Sequence, residues 1–440
     1  MNKKYLRRAI DKDLAEWKID KFRKPLLLRG ARQVGKSSTV KELGKQFEYY
    51  LEINFEKKEN REAKAIFEKS SSPRKICSEL SLLYDIPIIP GKTLLFLDEI
   101  QSCVSAISSL RFFYEEYPEL HVIAAGSLLE FALQELPSFG VGRIRSMFLY
   151  PFSFNEFLRA MDKNMLADAL EKTSPENPFS DAIHETCVQQ LILFMLIGGM
   201  PKVMATYAAN GSLLDCQKVL DDLMLSFYDD FSKYKERVPT SRLREVFSSV
   251  MMQTGKKFTY SKASPESNHK QIKESIELLE LAGIIYPVTH TAANGLPLAA
   301  EMNTKHRKYQ PLDTGIYQRF LRLDVGQMLD TERLTQINKG ALAELFVGLE
   351  LLKSAPCTNP TQLHYWQREK QGSSAEVDYV VQCGADIVPI EVKSATRGSM
   401  QSMFQFLSEK NYSYGIRCSM ENFGTYQNVK IYPLYAVSQI

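Results

Sequence analysis

The chain has 440 residues, 44% of them hydrophobic and 24% charged, with a formal net charge of +3. This is the composition of a globular protein of two to four domains, and its longest apolar run, 191–200, is half of what a bilayer span needs. Seven cysteines (77, 103, 187, 216, 357, 383 and 418) form no Cys-x-x-Cys pair, and the six histidines are scattered, so a disulfide framework and zinc spacing are both excluded and free thiols in a reducing cytoplasm are expected. The N-terminus is basic but lacks the apolar core of a signal peptide, and no membrane role is predicted.

Leu6, Ile10, Leu14 and Trp17 fall at helical spacing and predict an amphipathic first helix. A strand over 25–29 leads into Gly30-Ala31-Arg32-Gln33-Val34-Gly35-Lys36-Ser37, followed by Ser38. Such a turn wraps phosphate oxygens with its backbone N–H groups, and the helix predicted over 36–46 aims its positive end at the same charge. Lys36 is expected to neutralise β- and γ-phosphates, and Ser37 to complete a Mg²⁺ shell. A strand over 49–54 ends in polar Asn54 and Glu56, and helices fill 60–85, where Pro73 and 87–90 act as breakers. Thr93-Leu-Leu-Phe-Leu97 then runs into Asp98-Glu99, a buried strand with acids at the edge where doubly wound folds bind ligands. Asp98 is expected to hold Mg²⁺ through water, and Glu99 to orient or deprotonate the attacking water.

After a helix over 104–117, a strand over 121–125 finishes at Gly126-Ser127. Ser127 either senses a γ-phosphate or caps the next helix. Arg143 follows Gly142 ahead of a strand over 147–150. It suits a γ-phosphate, its own or a neighbouring subunit's, and it suits a plain surface position equally.

Charge is uneven: residues 1–36 carry twelve Lys/Arg against four Asp/Glu, and residues 231–275 ten against four. The loop accounts for part of the first excess, while a solvated helical face is the ordinary source of the second.

The Gly-Ala-Arg-Gln-Val-Gly-Lys-Ser loop, Ile-Asn-Phe-Glu at 53–56, Phe-Leu-Asp-Glu-Ile-Gln at 96–101, Ala-Gly-Ser at 125–127, Gly-Arg at 142–143 and Leu-Tyr-Pro-Phe-Ser-Phe-Asn-Glu-Phe at 149–157 occur in that order. Ile197-Gly-Gly-Met-Pro201 and Lys308-Tyr-Gln-Pro-Leu-Asp313-Thr-Gly315 lie downstream. The set resembles the prokaryotic AAA-type ATPases that carry a conserved C-terminal region of unknown function. The resemblance implies ATP binding with Mg²⁺, and places Lys36, Ser37, Asp98, Glu99, Ser127 and Arg143 in the family's usual roles.

Residues 162–181 are polar, contain Pro175 and Pro178, and are expected to form a linker before helices over 183–233. Helices over 243–252, 260–263 and 269–282, stopped at Gly283, precede strands over 284–289 and 296–300 joined at Asn294-Gly295. Three helices and a hairpin are winged-helix organisation. Asn268, His269, Lys270 and Lys273 open the third helix, where DNA is read, and Arg242, Arg244, Lys256, Lys257 and Lys262 could meet phosphates. Glu274, Glu277 and Glu280 oppose a duplex, and winged helices also dock proteins.

The last part opens with a helix over 340–352 carrying Glu344. Strands over 363–368, 377–382 and 387–393, a helix over 399–408 and a strand over 414–417 follow. If Cys383-Gly-Ala-Asp386 is a four-residue hairpin loop, Gln382 faces Ile387 and Asp378 faces Glu391, with Lys393 on the same face beside Glu376. With Glu344, this resembles the restriction-endonuclease-like fold, which implies carboxylates on Mg²⁺ and a lysine that activates water or stabilises the phosphorane.

The expected chain is therefore α/β. An AAA-type P-loop ATPase domain with a parallel sheet (1–160) is followed by a linker and helical subdomain (161–235), a winged-helix-like domain (236–330) and a restriction-endonuclease-like domain (331–440). The leading expectation is an ATPase coupled to a C-terminal module that binds nucleic acid or protein, with DNA, a protein partner or a second copy of the chain as candidates. The alternatives are an ATP-gated, metal-dependent DNA nuclease in defence or repair, and a non-catalytic, ATP-dependent protein-recruiting switch.

Overall fold

A computed structural model describes residues 5–127, 129–135, 142–234, 237–322, 339–369, 375–394 and 400–440. The chain forms two compact units. One runs to Pro151 and adds Leu281–Gly283 and Pro356–Pro360; the other comprises Phe152–Glu280, Ile284–Ala355 and Thr361–Ile440.

In the first unit, β1 (Leu26–Arg29), β2 (Tyr49–Asn54), β3 (Thr93–Asp98), β4 (His121–Ala125) and β5 (Arg145–Phe148) form a sheet in the order β2-β3-β4-β1-β5. Every pairing is parallel. Parallel strands are covered on both faces and so read as unbroken apolar runs; β3 and β4 are buried at every position. Alternation sends Leu27, Leu51, Ile53, Leu95, Leu97, Val122 and Ala124 into one core. Because the strands are parallel, the segments after Arg29, Asn54, Asp98 and Ala125 all emerge at the same edge. Ile10, Leu14 and Trp17 bury one face of the first helix, Ile10–Ile19. Pro73 begins the helix Pro73–Tyr84, at a position where its missing N–H has no intrahelical partner to lose.

The second unit opens with helices Phe154–Ala160, Asn164–Leu170, Asp181–Ile197, Pro201–Asn210 and Leu213–Asp230. The helix Asn164–Leu170 corrects the expected linker. It buries Ala167 and Leu170, and Arg159 ties it down through Asp168 and Glu171, each at 2.8 Å. A two-residue apolar stripe is too short to show as a period.

Helices Thr240–Gln253 and His269–Leu281, with the 3₁₀ turn Tyr260–Lys262 between them, precede β6 (Ile285–Thr291) and β7 (Met302–Pro311). The second hairpin strand therefore starts later than expected, and residues Leu298–Glu301 form a 3₁₀ turn instead. Pro297 has no N–H to give a ladder. Strands β8 (Leu363–Gln367), β9 (Glu376–Cys383), β10 (Asp386–Val392), β11 (Gly415–Ser419), β12 (Gly424–Tyr426) and β13 (Val429–Pro433) complete an eight-stranded sheet in the order β12-β13-β11-β10-β9-β8-β6-β7. The hairpin joins that sheet by parallel pairing of β6 with β8. The helix expected over 399–408 is Gln401–Lys410, and position 399 lies outside the described residues. All seven cysteines are free. Among the described residues no helix is long and apolar enough to cross a membrane.

Candidate nucleotide site and a second acidic cluster

The loop after β1 depends on its glycines. Gly30 has φ +140°, and a Cβ there would lie 2.2 Å from the carbonyl oxygen of Leu149; Gly35 has φ +102°. Only glycine adopts such angles without strain. Ala31 and Val34 are buried, while Arg32 is half-buried and Gln33 and Ser38 are exposed. The loop is braced by Arg8, whose guanidinium donates to the Val34 carbonyl at 3.1 Å and to the Tyr150 carbonyl at 2.6 Å. The basic N-terminus was the one sequence signal for Arg8, and nothing in spacing assigned it this brace.

Lys36 is 7% exposed. Its Nζ donates to the carbonyls of Gly30 and Ala31, both at 2.8 Å. Burial pulls its pKa down to about 8, against the opposing pull of Glu99 and Asp98. Its charge is thus held by peptide dipoles and by no carboxylate hydrogen bond.

The Ser37 hydroxyl donates to the Asp98 carboxylate at 3.0 and 3.2 Å, and Asn54 Nδ2 donates to the same group at 3.2 Å. β2 and β3 pair Asn54 directly with Asp98, which makes the polar end of β2 part of the site. Burial, then Glu99, pushes the Asp98 carboxyl above its ordinary range. A hydroxyl and a carboxylate within one hydrogen bond form a hard oxygen donor set, which fits Mg²⁺.

Glu99 follows with φ +49°, and its carboxylate accepts from Gln101 Nε2 at 2.7 Å and from the N–H and hydroxyl of Ser127 at 3.2 and 3.0 Å. Burial alone would raise its pKa, but those hydrogen bonds and Lys36 outweigh it and hold the carboxyl below its usual value. Glu99 is therefore a fixed anion. Ser127 binds Glu99 instead of standing apart.

Arg143 is brought elsewhere. It precedes β5, which runs parallel to β1 with Leu26 opposite Arg145. It therefore stands at the edge of the sheet where strands begin, about 13 Å of strand from the edge that carries Lys36 and Asp98. There it pairs with Glu115. Within one chain this corrects the expectation that Arg143 reaches its own γ-phosphate: the turn lies at the wrong end of the strand.

In the second unit the β9–β10 register pairs Cys383 with Asp386 and Gln382 with Ile387, on to Tyr379 with Ile390. One step further, the Val392 N–H donates to Asp378 Oδ2 at 2.7 Å, and Lys393 Nζ donates to Glu391 Oε1 at 2.6 Å. Asp378, Glu391 and Lys393 thus come together. Glu376 and Glu344 instead meet at a residue that spacing did not single out. Lys308 of β7, with its side chain 2% exposed, lies 2.5 Å from Glu376 and 2.9 Å from Glu344. Burial works against its charge, but Glu344, Glu376 and Asp378 outweigh that and raise its pKa above the ordinary lysine range. Glu391 is pushed up to about 7 by burial and by Asp378, and its Oε2 has no hydrogen-bond partner. Lys308 occupies the electrostatic role that a cation would take among these acids. Among the described residues, Glu344, Asp378 and Glu391 do not form a group whose ligand atoms all lie within 4.8 Å of one another.

Of the basic residues of the middle segment, Arg244, Lys256, Lys257 and Lys262 wall part of an open cleft of about 600 Å³, which Glu245 also lines. Asn268, His269, Lys270 and Lys273 are exposed at the start of the third helix. Of the three opposing glutamates, Glu280 points inward, 3.6 Å from Arg307, and burial pushes it up to about 7.

Residues 22–158 match the family model of an AAA domain. Residues 188–327 match the domain of unknown function DUF8612, and residues 339–437 the domain of unknown function DUF4143. No curated protein matches the sequence. Among solved structures the chain is similar to a Walker-type ATPase of Pyrococcus abyssi, with 14% identity and a TM-score of 0.46 over 73% of this chain and 97% of that one. It is also similar to the Aeropyrum pernix Orc1 protein in complex with DNA, with 13% identity and a TM-score of 0.29 over 74% and 92%. A signal-transduction ATPase with a tetratricopeptide-repeat sensor from Pyrococcus horikoshii gives 10% identity and 0.28 over 80% and 46%. At these scores the likenesses bear on neither reaction nor partner. The AAA-domain match agrees with the parallel α/β sheet and its phosphate-binding loop.

Proposed function

We propose that the protein is an ATP-binding, Mg²⁺-dependent ATPase whose cycle acts on its C-terminal half. The observation that carries this reading is the meeting of Lys36, Ser37, Asp98, Glu99 and Ser127 at one edge of the parallel sheet. The loop N–H groups of residues 30–37 bind the phosphates, and Lys36 exchanges two peptide carbonyls for phosphate oxygens. Ser37, and Asp98 through water, would hold Mg²⁺, which would supply charge neutralisation at the phosphates. Glu99, kept anionic, orients the attacking water and takes up its proton. Ser127 fixes the angle of that carboxylate. Lys36→Ala in the purified protein is expected to lower ATP turnover about 10²–10³-fold; unchanged turnover overturns the reading.

For the C-terminal half we read residues 236–330 as winged-helix-like and 331–440 as restriction-endonuclease-like, after the helical subdomain of 161–235. The helix–turn–helix–hairpin order and the β9–β10 register support this. Lys308 favours a binding platform over a nuclease, because it already balances Glu344 and Glu376. The basic cleft favours nucleic acid as the partner. The double variant Lys256→Glu/Lys262→Glu is expected to weaken DNA binding and to flatten its dependence on salt by about one unit of slope for each phosphate left unneutralised. A wild-type salt slope in that variant removes DNA from this cleft. Arg143 retains a role at a neighbouring subunit's nucleotide within a homo-oligomer.

A further inference from the structure

We propose that His290, His306 and Glu369 bind a divalent transition-metal ion, with Zn²⁺ the best match. His290 and His306 come from β6 and β7 and Glu369 from the segment just after β8, and each offers a ligand atom within 4.8 Å of the other two. Their spacing along the chain is too wide to register as a metal motif.

His290 is the fixed member, with its side chain only 2% exposed. Its Nε2 lies 3.0 Å from the carbonyl oxygen of Gln367. A carbonyl only accepts, so Nε2 carries the proton and Nδ1 of the neutral ring presents a lone pair. That Nδ1 is buried and has no hydrogen-bond partner. The nearest charged atom is Glu369 Oε1 at 3.8 Å, outside hydrogen-bond distance. Two acceptors facing each other, one of them buried, are unfavourable unless a cation lies between them.

A proton on Nδ1 is the rival occupant, and His306 decides against it. The register of β6 on β7 jumps from Thr289 opposite Arg307 to His290 opposite Asn303, so residues 304–306 bulge from β7. Bulges re-aim side chains, and this one sets the His306 ring 5.8 Å from that of His290. A single proton does not use a third donor, whereas a metal does.

Two imidazoles and a carboxylate are a zinc donor set that leaves a fourth position open. Zinc bonds of about 2.1 Å in tetrahedral geometry hold donors roughly 3.4 Å apart. Closure therefore asks for a shift of up to about 1.4 Å, taken up by half-exposed His306 and exposed Glu369 while His290 stays in place. The Gln367 carbonyl on the far nitrogen of His290 is the orienting partner such ligands use. Lys257, whose charge falls on His306, is adverse and lowers affinity without removing a donor.

The test is calorimetric titration of the full-length chain, stripped of metal and free of nucleotide, with ZnCl₂. Spectra with Co²⁺ then report the ligand type. One Zn²⁺ per chain is expected, with a Co²⁺ spectrum free of thiolate charge transfer. His306→Ala and Glu369→Ala each lose that binding event. Both substitutions lie on accessible side chains, so they keep the test valid if His290→Ala fails to fold. The proposal is overturned by absence of binding to the wild type, by undiminished binding in both variants, or by a thiolate band that assigns the ion to cysteines.

Discussion

Lys36 in the phosphate loop and Lys308 in the eight-stranded sheet are both buried lysines near carboxylates, and their surroundings set them in opposite states. Lys36 rests on two peptide carbonyls, and burial lowers its pKa to about 8. Lys308 is ion-paired with Glu344 and Glu376, and its pKa is raised. A buried cation that is under-neutralised gains from an incoming anion. One already matched by carboxylates gains nothing from it and serves the fold. The same contrast holds for the acids: Glu99 is held anionic and aimed by Gln101 and Ser127, whereas Glu344 and Glu376 are tied to Lys308.

The largest test of this contrast is Lys308→Met. It leaves largely buried Glu344 and half-buried Glu376 without that counter-charge and is expected to cost about 3–5 kcal/mol in urea unfolding. Lys36→Met is expected to leave stability unchanged or raised at pH 7, since it removes a charge that burial disfavours. Equal losses in the two variants would undo the contrast.

A smaller effect refines it. The folded-state pKa of Lys36, about 8, lies below that of an unfolded lysine, about 10.4. Between those values the unfolded chain holds a proton that the folded chain lacks, so this group makes stability rise with pH through that window and is unfavourable below it. Bound phosphates keep Lys36 charged. ATP binding near pH 8 is therefore expected to take up about half a proton at this group, and almost none at pH 6.5. Calorimetry in two buffers of different ionisation enthalpy measures it, and equal uptake at both pH values would remove Lys36 as the source.

Much of the first site was legible because it is contiguous or sits at strand ends. Residues 30–37 form a single turn, and Asp98, Glu99 and Ser127 terminate apolar runs whose direction the parallel sheet makes common. Asn54 stood out as a polar strand end, although its bond to Asp98 required the β2–β3 register. The β9–β10 hairpin was readable for the same reason, since the turn dictates every pairing behind it; the strands close on the two-residue turn Gly384-Ala385, which keeps the expected register. Lys308 was not. It sits in Lys308-Tyr-Gln-Pro, on a strand whose neighbours in the sheet are set by β6 pairing with β8, and no local period marks such a meeting. Arg143 differs: its residue type suits the role, but within one chain its position before β5 places it at the opposite edge of the sheet.

The phosphate loop, the acid-tipped strand and the hairpin register are properties of local sequence, because each is written in a few consecutive residues through backbone geometry and alternation. Which charges face one another was settled by the folded chain. Folding sent Lys308 among the acids, joined the middle hairpin to the C-terminal sheet, and drew His290, His306 and Glu369 together. Those outcomes depend on strand order and burial, and charge pairing across a core follows from which surfaces lose water together rather than from spacing along the chain.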